Sequence, residues 1–148
     1  LLSRGAGHVL AVDVGHGQLH EKLAVDPRVT SLEGRDARGL TADDLGGAPS
    51  LLVCDASFIS LAKLLERPLS LAASGAEIVT LFKPQFEVGR AFVGKGGIVT
   101  DMIAVKAAEQ GFCDWLEGQG WRVLGRTDSP ITGGDGNAER LIHARKQD

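Results

Sequence analysis

The sequence predicts an α/β fold with a mostly parallel β-sheet whose last strand is antiparallel. Short, nearly continuous apolar segments, as expected for strands covered on both faces, alternate along the chain with segments of helical periodicity. This alternation of strands and helices is typical of parallel sheets. The last two strand-like segments are joined without a helix, which fits an antiparallel pair at the end of such a sheet.

Six segments of the chain have the character of strands. The first is an apolar run ended by Gly15, the third follows a loop that contains Pro49, and the fourth stops before Pro84. In chain order the predicted strands cover residues 8–14, 29–33, 51–55, 77–83, 121–125 and 138–145.

Three helices are predicted between these strands. A short one covers residues 18–25, and the last covers residues 101–119 with Asp101 as its cap. The middle helix contains Pro68, which can kink it. Its apolar residues lie close to helical spacing and are Leu61, Leu64, Leu65, Leu69 and Ala72. We expect a long glycine-rich loop over residues 85–100.

Composition excludes several classes of protein. The chain has 148 residues, the length of one domain, with 43% apolar and 24% charged residues, as in ordinary globular proteins. A formal net charge of −3 excludes a polycation that binds nucleic acid indiscriminately, so any RNA contact must come from a local basic patch. No apolar run approaches the roughly 20 residues that span a bilayer.

Cysteine and histidine usage does not indicate a metal site. Cys54 and Cys113 lie far apart without a CxxC spacing, and we interpret them as buried free thiols. The four histidines are scattered, with no partner at a ligand spacing. We therefore predict a cytoplasmic protein that binds no metal.

Polar residues follow four of the predicted strands. Asp13 ends the first strand, Asp36 lies just past the second, Asp55 ends the third and Lys83 ends the fourth. Ligands of open α/β sheets bind beyond the carboxyl ends of the strands. Neighbouring parallel strands lie about 4.8 Å apart, so Asp55 and Lys83 can pair there. Each aspartate also has an ordinary alternative role as a helix cap or turn former, and a lysine before a proline can be a solvated charge.

Five segments of the chain resemble signature segments of the TlyA/FtsJ-like RNA 2′-O-ribose methyltransferases, a family whose members are often named haemolysin A. They occur in the family's order and cover nearly the whole chain. The segments are residues 12–19, 54–61, 82–87, 93–99 and 129–133 with 136–139. The resemblance implies a Rossmann-like S-adenosylmethionine-dependent methyltransferase fold.

The resemblance also implies a set of catalytic residues. FtsJ-like enzymes use a Lys-Asp-Lys-Glu set, in which Asp55 matches the aspartate, Lys83 the second lysine and Glu139 the glutamate. The first lysine belongs upstream and has no counterpart in this chain. From the residues alone, Glu139 is equally well interpreted as an exposed strand glutamate. The two carboxylates suit the positioning of the Lys83 amine.

Cofactor and RNA contacts follow from the same resemblance. Asp13 matches the acidic residue that holds the ribose hydroxyls of S-adenosylmethionine, Asp36 matches the residue that faces the adenine, and Asp55 completes the expected cofactor site. Arg90 and Lys95, in the glycine-rich loop, are expected to contact RNA phosphates. The phenylalanines of this loop can either stack on unpaired bases or pack into the core.

The beginning of the chain has the pattern of a helix end running into a glycine cap at Gly5, and we interpret it as a cut edge. Residues 1–148 are then one methyltransferase domain without its amino-terminal part. The family's first central strand, its glycine-rich cofactor loop and its small RNA-binding domain are expected upstream. Without the upstream lysine we expect little or no activity from this chain alone.

The preferred function is S-adenosylmethionine-dependent 2′-O-methylation of ribose in ribosomal RNA, with ribosomal RNA or a ribosomal subunit as the partner. A non-catalytic RNA-binding module that keeps the fold is an alternative, and so is a methyltransferase for a small molecule. The haemolysin name implies membrane action, but the sequence has no cationic amphipathic helix, so pore formation is disfavoured.

Overall fold

The computed structural model describes residues 1–134 and 136–148. These residues form two compact units, Leu1–Gly47 and Ala48–Asp148. The second unit contains four of the six strands and both long helices.

The first unit is a two-stranded parallel sheet with short helical turns. β1 (Val9–Asp13) pairs with β2 (Val29–Glu33), and Asp13 lies opposite Glu33 at the end of the ladder. The helix predicted over residues 18–25 is only one turn, α1 (Glu21–Ala24), because the His20 side chain accepts the Lys22 N–H and starts the helix late. The remaining turns are 3-10 helices at Leu2–Arg4 and Ala37–Gly39 and α2 (Ala42–Leu45).

The second unit is a four-stranded sheet with one strand direction reversed. Its strands are β3 (Leu51–Cys54), β4 (Glu77–Phe82), β5 (Trp121–Asp128) and β6 (Arg140–Lys146), in the order β3-β4-β6-β5. β3 and β4 are parallel, and β6 runs antiparallel to both β4 and β5. The predicted parallel sheet with an antiparallel last strand is confirmed.

Three helices accompany this sheet: α3 (Leu61–Ser70), α4 (Pro84–Glu87) and α5 (Met102–Gly118). Pro68 is accommodated inside α3, and Asp101 caps α5 as predicted. The prediction of an unbroken loop over residues 85–100 is wrong, since this stretch contains most of α4 and 3-10 turns at Arg90–Phe92 and Lys95–Gly97. Proline at the first helical position favours the start of α4, because its fixed φ suits a helix.

The core of the second unit lies between the sheet, α3 and α5. Alternate residues of β4 are fully buried, as expected for a strand with one face on the core. The larger buried side chains are Leu61, Leu65, Leu69, Ile78, Phe82, Val105, Phe112, Leu116, Trp121 and Ile142. Each contributes about 1.5–3 kcal/mol of hydrophobic free energy, and together they fix the ends of β3, β4 and β6.

The largest differences from the sequence prediction concern the end of β5, the start of β6 and the number of sheets. β5 continues to Asp128 through a register shift between Val123 and Gly125, and β6 begins at Arg140 rather than at residue 138. Strands are hydrogen-bonded in two sheets instead of one, because β1 pairs only with β2 and β3 only with β4 among the described residues.

Candidate active site

The topology of the second unit brings three distant residues to one point. Asp55 directly follows β3 and Lys83 directly follows β4, and these two strands are parallel neighbours. Because β6 is antiparallel to β4, its first residue, Arg140, pairs with Phe82. Glu139, one residue earlier, therefore lies beside Lys83.

Lys83 is held by two carboxylates and a hydroxyl. Its Nζ lies 2.6 Å from Asp55 Oδ1, 3.9 Å from Glu139 Oε1 and 3.3 Å from Ser57 Oγ. We call Asp55, Ser57, Lys83 and Glu139 the lysine cluster. The predicted meeting of Asp55, Lys83 and Glu139 is confirmed, and the interpretation of Glu139 as an exposed strand glutamate is wrong, because it precedes β6 and is buried.

Burial differs sharply within the lysine cluster. The Lys83 side chain is 14% exposed and that of Glu139 is 8% exposed, whereas that of Asp55 is 66% exposed. A buried ammonium is tolerated only when carboxylates and hydrogen bonds compensate for lost hydration. In the lysine cluster, the Lys83 side chain is therefore largely shielded from solvent, whereas the Asp55 carboxylate is accessible.

Asn137 ties the glycine-rich loop to the entry of β6. This side chain is 3% exposed; its Oδ1 accepts the Val99 N–H at 3.0 Å, and its Nδ2 donates to the Gly97 carbonyl at 2.9 Å. Both bonds join segments that are far apart in sequence. Asn137 thereby fixes the backbone two residues before Glu139.

Phe58 is an exposed aromatic residue beside the lysine cluster. Its φ is 67°, in the left-handed region that bulky residues rarely adopt, and its side chain is 91% exposed. Its ring lies 5.2 Å, centroid to centroid, from that of half-buried Phe86, whereas Phe92 is 48% exposed. Only the phenylalanines of the glycine-rich loop were predicted as stacking residues; Phe58 was not among them, although it lies inside a signature segment.

Glu87 is a half-buried carboxylate at the end of α4. Its Oε1 accepts the Leu61 N–H at 2.8 Å, and burial raises its pKa to about 7. It lies at the end of the signature segment 82–87, but no role was predicted for it from the sequence.

Asp13, in the first unit, lies at the exposed end of β1. Its Oδ1 accepts the Gly15 N–H at 2.7 Å, and Glu33, opposite Asp13 in the ladder, accepts the Gly17 N–H at 2.9 Å. The predicted position of Asp13 at the strand end is confirmed. The turn therefore presents two carboxylates from neighbouring strands.

Asp36 acts as a cap in this structure. Its side chain accepts the Arg38 N–H at the start of a 3-10 helix and also pairs with the Arg38 guanidinium at 2.6 Å. The hydrogen bonds from Arg38 lower the pKa of Asp36 to about 2. The alternative role as a helix cap is therefore realised, and contact with adenine stays a prediction.

The structure thus gathers Asp55, Lys83 and Glu139 within the second unit. Asp13 and Asp36 belong to the first unit, and a rim that they share with Asp55 and Lys83 stays a prediction.

Arg90 and Lys95 are both exposed. Neither forms an ion pair with any residue that the structure describes. Two uncommitted cations on a glycine-rich segment are available for contact with an anionic ligand.

Cys54 and Cys113 are free thiols, as predicted, but only Cys113 is buried, whereas Cys54 is half-buried. Burial is the main cause that raises the pKa of each thiol. No group of three or more His, Cys, Asp or Glu residues within residues 1–134 and 136–148 could hold a metal ion. None of the helices in these ranges is long and apolar enough to cross a membrane.

A family model matches almost the whole chain. The model for FtsJ-like methyltransferases matches residues 1–146. The range includes all three residues of the predicted catalytic set.

Relatives and solved structures agree with this match. The 16S/23S rRNA (cytidine-2′-O)-methyltransferase TlyA of Mycobacterium tuberculosis is 46% identical over 99% of this chain and 55% of its own length. A solved protein described as a hemolysin from Streptococcus thermophilus has a TM-score of 0.94 and 40% identity, over 99% of this chain and 54% of that one. An S-adenosylmethionine-dependent methyltransferase structure from Listeria monocytogenes, 14% identical with a TM-score of 0.66 over 99% of this chain and 84% of that one, shares the fold.

The chain spans about half the length of the curated relatives it matches. The methyltransferase fold predicted from the sequence is confirmed.

Proposed function

The chain belongs to the FtsJ-like methyltransferase family, and we propose that it is the catalytic part of an S-adenosylmethionine-dependent ribosomal RNA 2′-O-ribose methyltransferase. The single observation that carries this proposal is the buried Lys83 ammonium held between Asp55 and Glu139 at the carboxyl end of β4. The relative from Mycobacterium tuberculosis, named as an rRNA (cytidine-2′-O)-methyltransferase, supports the choice of substrate.

The lysine cluster suits the chemistry of this reaction. Bound S-adenosylmethionine would supply a methyl group on a sulfonium. As the ribose 2′-oxygen attacks the methyl carbon, negative charge develops on the oxygen while its proton passes to solvent water. The bond between the methyl group and sulfur would break, with its electron pair left on sulfur. A fixed, poorly hydrated ammonium stabilises such charge far better than mobile water does. Asp55 and Glu139 hold the Lys83 amine in place, and Asp55, at the exposed mouth, is the group that incoming ligands would meet.

The first unit offers acceptors that fit the cofactor. Asp13 lies exposed at a strand end beside a glycine turn, and only one of its carboxylate oxygens takes a hydrogen bond from the described residues. An available carboxylate oxygen is the acceptor that vicinal ribose hydroxyls require. In this proposal Asp13 binds the cofactor ribose, Asp36 lies near the adenine, and Asp55 completes the site.

Phosphate and base contacts are proposed for three exposed residues of the second unit. Arg90 and Lys95 carry exposed charges on loop backbone, which suits phosphate binding. Phe58 presents most of its ring to solvent beside Lys83, and exposed rings stack on unpaired RNA bases. A ribosomal RNA loop or a ribosomal subunit is therefore the partner we propose.

We further propose that a longer protein completes the domain formed by residues 1–148. Within the described residues, the outer strands β1, β2, β3 and β5 each have one sheet edge without a paired strand, and such edges are normally covered. An upstream segment with the family's first strand, glycine-rich loop and first lysine would supply those elements. We call the chain preceded by its upstream coding residues the extended protein, and we expect the chain alone to have little activity.

Methyl transfer by the extended protein tests the proposed function. Ribosomal subunits lacking the modification are incubated with methyl-labelled S-adenosylmethionine, and the labelled nucleotides are recovered after alkaline hydrolysis. A 2′-O-methyl group blocks cleavage of the adjacent phosphodiester, so label in alkali-resistant dinucleotides is the expected result. Label only on bases would contradict the proposal. An extended protein that binds the subunits without transfer would favour the non-catalytic RNA-binding alternative.

A further inference from the structure

We propose that Glu87 is a positioning residue of the lysine cluster. Its carboxylate holds the segment that follows β3 against the turn that begins at Lys83, and so keeps Asp55 and Ser57 beside the amine. This inference rests on the proposed function for its catalytic consequence. Its geometric content concerns only contacts within the second unit.

Glu87 caps α3 from a different part of the chain. The residue before α3, Ser60, makes no side-chain capping bond. The N–H of Leu61, the first residue of the helix, instead donates to Glu87 Oε1 at 2.8 Å. Leu61 is 2% exposed, so without this acceptor its N–H would lack both water and a partner.

The capped helix follows a segment that has little structure of its own. Residues 55–60 form neither helix nor strand, and Phe58 within them has a φ of 67°. A backbone of this kind persists only when surrounding contacts enforce it. The segment is therefore dependent on what holds its two ends.

Both ends of that segment are bound to the same five-residue turn, residues 83–87. Asp55 pairs with Lys83 at one end, and Leu61 binds Glu87 just beyond the other. Between them Ser57 contacts Lys83, and Phe58 contacts Phe86. Loss of the Glu87 contact would free one end and let Asp55 and Ser57 move relative to the amine.

The use of a half-buried carboxyl group as the cap also indicates that Glu87 connects two segments and does not only cap α3. Glu87 is half-buried and has no ion pair with any described residue, and burial raises its pKa to about 7. Residue 60 is a serine, whose side chain could cap α3 without burying a carboxyl group, yet it makes no such bond. A cap supplied from residue 87 adds something that a local cap cannot, namely a connection to the Lys83 turn.

Three variants of the extended protein test this inference. Glu87→Ala removes the acceptor, and Glu87→Gln keeps an acceptor oxygen in nearly the same shape. Asp101→Ala is the matched control, because it removes another carboxylate helix cap, at Ile103 and Ala104, that contacts no member of the lysine cluster. Steady-state methyl transfer and thermal unfolding are measured for all three variants.

We expect Glu87→Ala to lower kcat at least tenfold while KM for S-adenosylmethionine stays within twofold. Glu87→Gln should retain at least a third of the kcat, and Asp101→Ala should lower the Tm without changing kcat more than twofold. A fully folded Glu87→Ala protein with unchanged kcat would overturn the inference. So would a Glu87→Gln protein as impaired as Glu87→Ala, because the oxygen acceptor would then not be the feature that matters.

Amide hydrogen exchange separates this inference from the proposed function. In Glu87→Ala, exchange over residues 56–61 and 83–87 should become at least tenfold faster, with no such change in Asp101→Ala. Equal protection in all variants would show that Glu87 holds nothing in place. If the unmodified extended protein transfers no methyl group, the proposed function fails, and the exchange result alone decides whether Glu87 joins the two segments.

Discussion

Carboxylates at the strand ends of the two units are stabilised in different ways. In the first unit, Asp13 and Asp36 bind groups two residues away, at Gly15 and Arg38. In the second unit, Lys83 is contacted by Asp55 and Glu139, which are brought from other strands by the sheet. A local contact is what any turn-forming aspartate makes, whereas a constellation assembled from three strands requires the fold. The second arrangement is therefore the stronger indicator of function.

Among the carboxylate variants, the largest effect is expected from removing the charge of the buried Glu139 side chain. Glu139→Gln in the extended protein removes one of the two charges that fix Lys83, and we expect kcat to fall about 100-fold, which corresponds to about 2.7 kcal/mol. S-adenosylmethionine affinity should stay within threefold by calorimetry. A kcat within threefold of the unmodified protein, at an unchanged Tm, would show that Glu139 does not act on the reaction.

A stability comparison contrasts long-range with local contacts. Asn137→Ala leaves the Val99 N–H and the Gly97 carbonyl without their side-chain partner. We expect a loss of about 2 kcal/mol in the free energy of unfolding, measured by urea denaturation. Asp36→Ala, which breaks only contacts with exposed Arg38, should lower the denaturation midpoint much less than Asn137→Ala does. Equal losses in both variants would remove the distinction between the two arrangements.

Cofactor affinity tests the role that we propose for the first unit. Asp13→Asn in the extended protein should weaken S-adenosylmethionine binding about tenfold, or about 1.4 kcal/mol, because the amide nitrogen cannot accept from a ribose hydroxyl. At saturating cofactor, kcat should remain within threefold. A lower kcat with unchanged cofactor affinity would contradict this assignment, because Asp13 would then act on the reaction and not on cofactor binding.

The smallest expected effect concerns the pH dependence of stability. The pKa of Glu87 is about 7 in the folded protein, above its ordinary value of 4.5. Between these values the folded state binds the proton more tightly than the unfolded state, so this contribution is fully favourable below pH 4.5 and is lost as the pH rises to 7.

The full shift would amount to about 3 kcal/mol, but partial exposure and solvent screening reduce the expected loss to about 1 kcal/mol. Glu87→Gln has no carboxyl proton to lose and should flatten this part of the pH profile, as measured by urea unfolding at pH 5, 6, 7 and 8. Identical profiles for the two proteins would mean that the pKa of Glu87 is not raised.

Periodicity and strand-end chemistry were enough to predict much of this arrangement. The alternation of apolar strands and helices gave the strand order along the chain. The resemblance to a known family then selected Asp55, Lys83 and Glu139 from many polar residues. The structure confirms that these three side chains meet.

The residues that the sequence analysis missed are those whose roles depend on contacts between distant segments. Ser57, Glu87 and Asn137 lie inside the signature segments, but these segments do not indicate which residue far along the chain each side chain contacts. Phe58 was missed for another reason, since a positive φ at a phenylalanine runs against its backbone preference. The helix α4 was not predicted because its four residues are too few to show a helical period.

The central claim is that the Lys83 amine, fixed by two carboxylates, acts on the ribose hydroxyl. The most direct measurement is single-turnover methyl transfer by Lys83→Met in the extended protein, with Lys106→Met, an exposed lysine of α5, as control. We predict a rate at least 1,000-fold lower for Lys83→Met, about 4 kcal/mol, with S-adenosylmethionine affinity within threefold, and an unchanged rate for Lys106→Met. A Lys83→Met protein that folds, binds the cofactor and transfers methyl groups at the normal rate would contradict the claim.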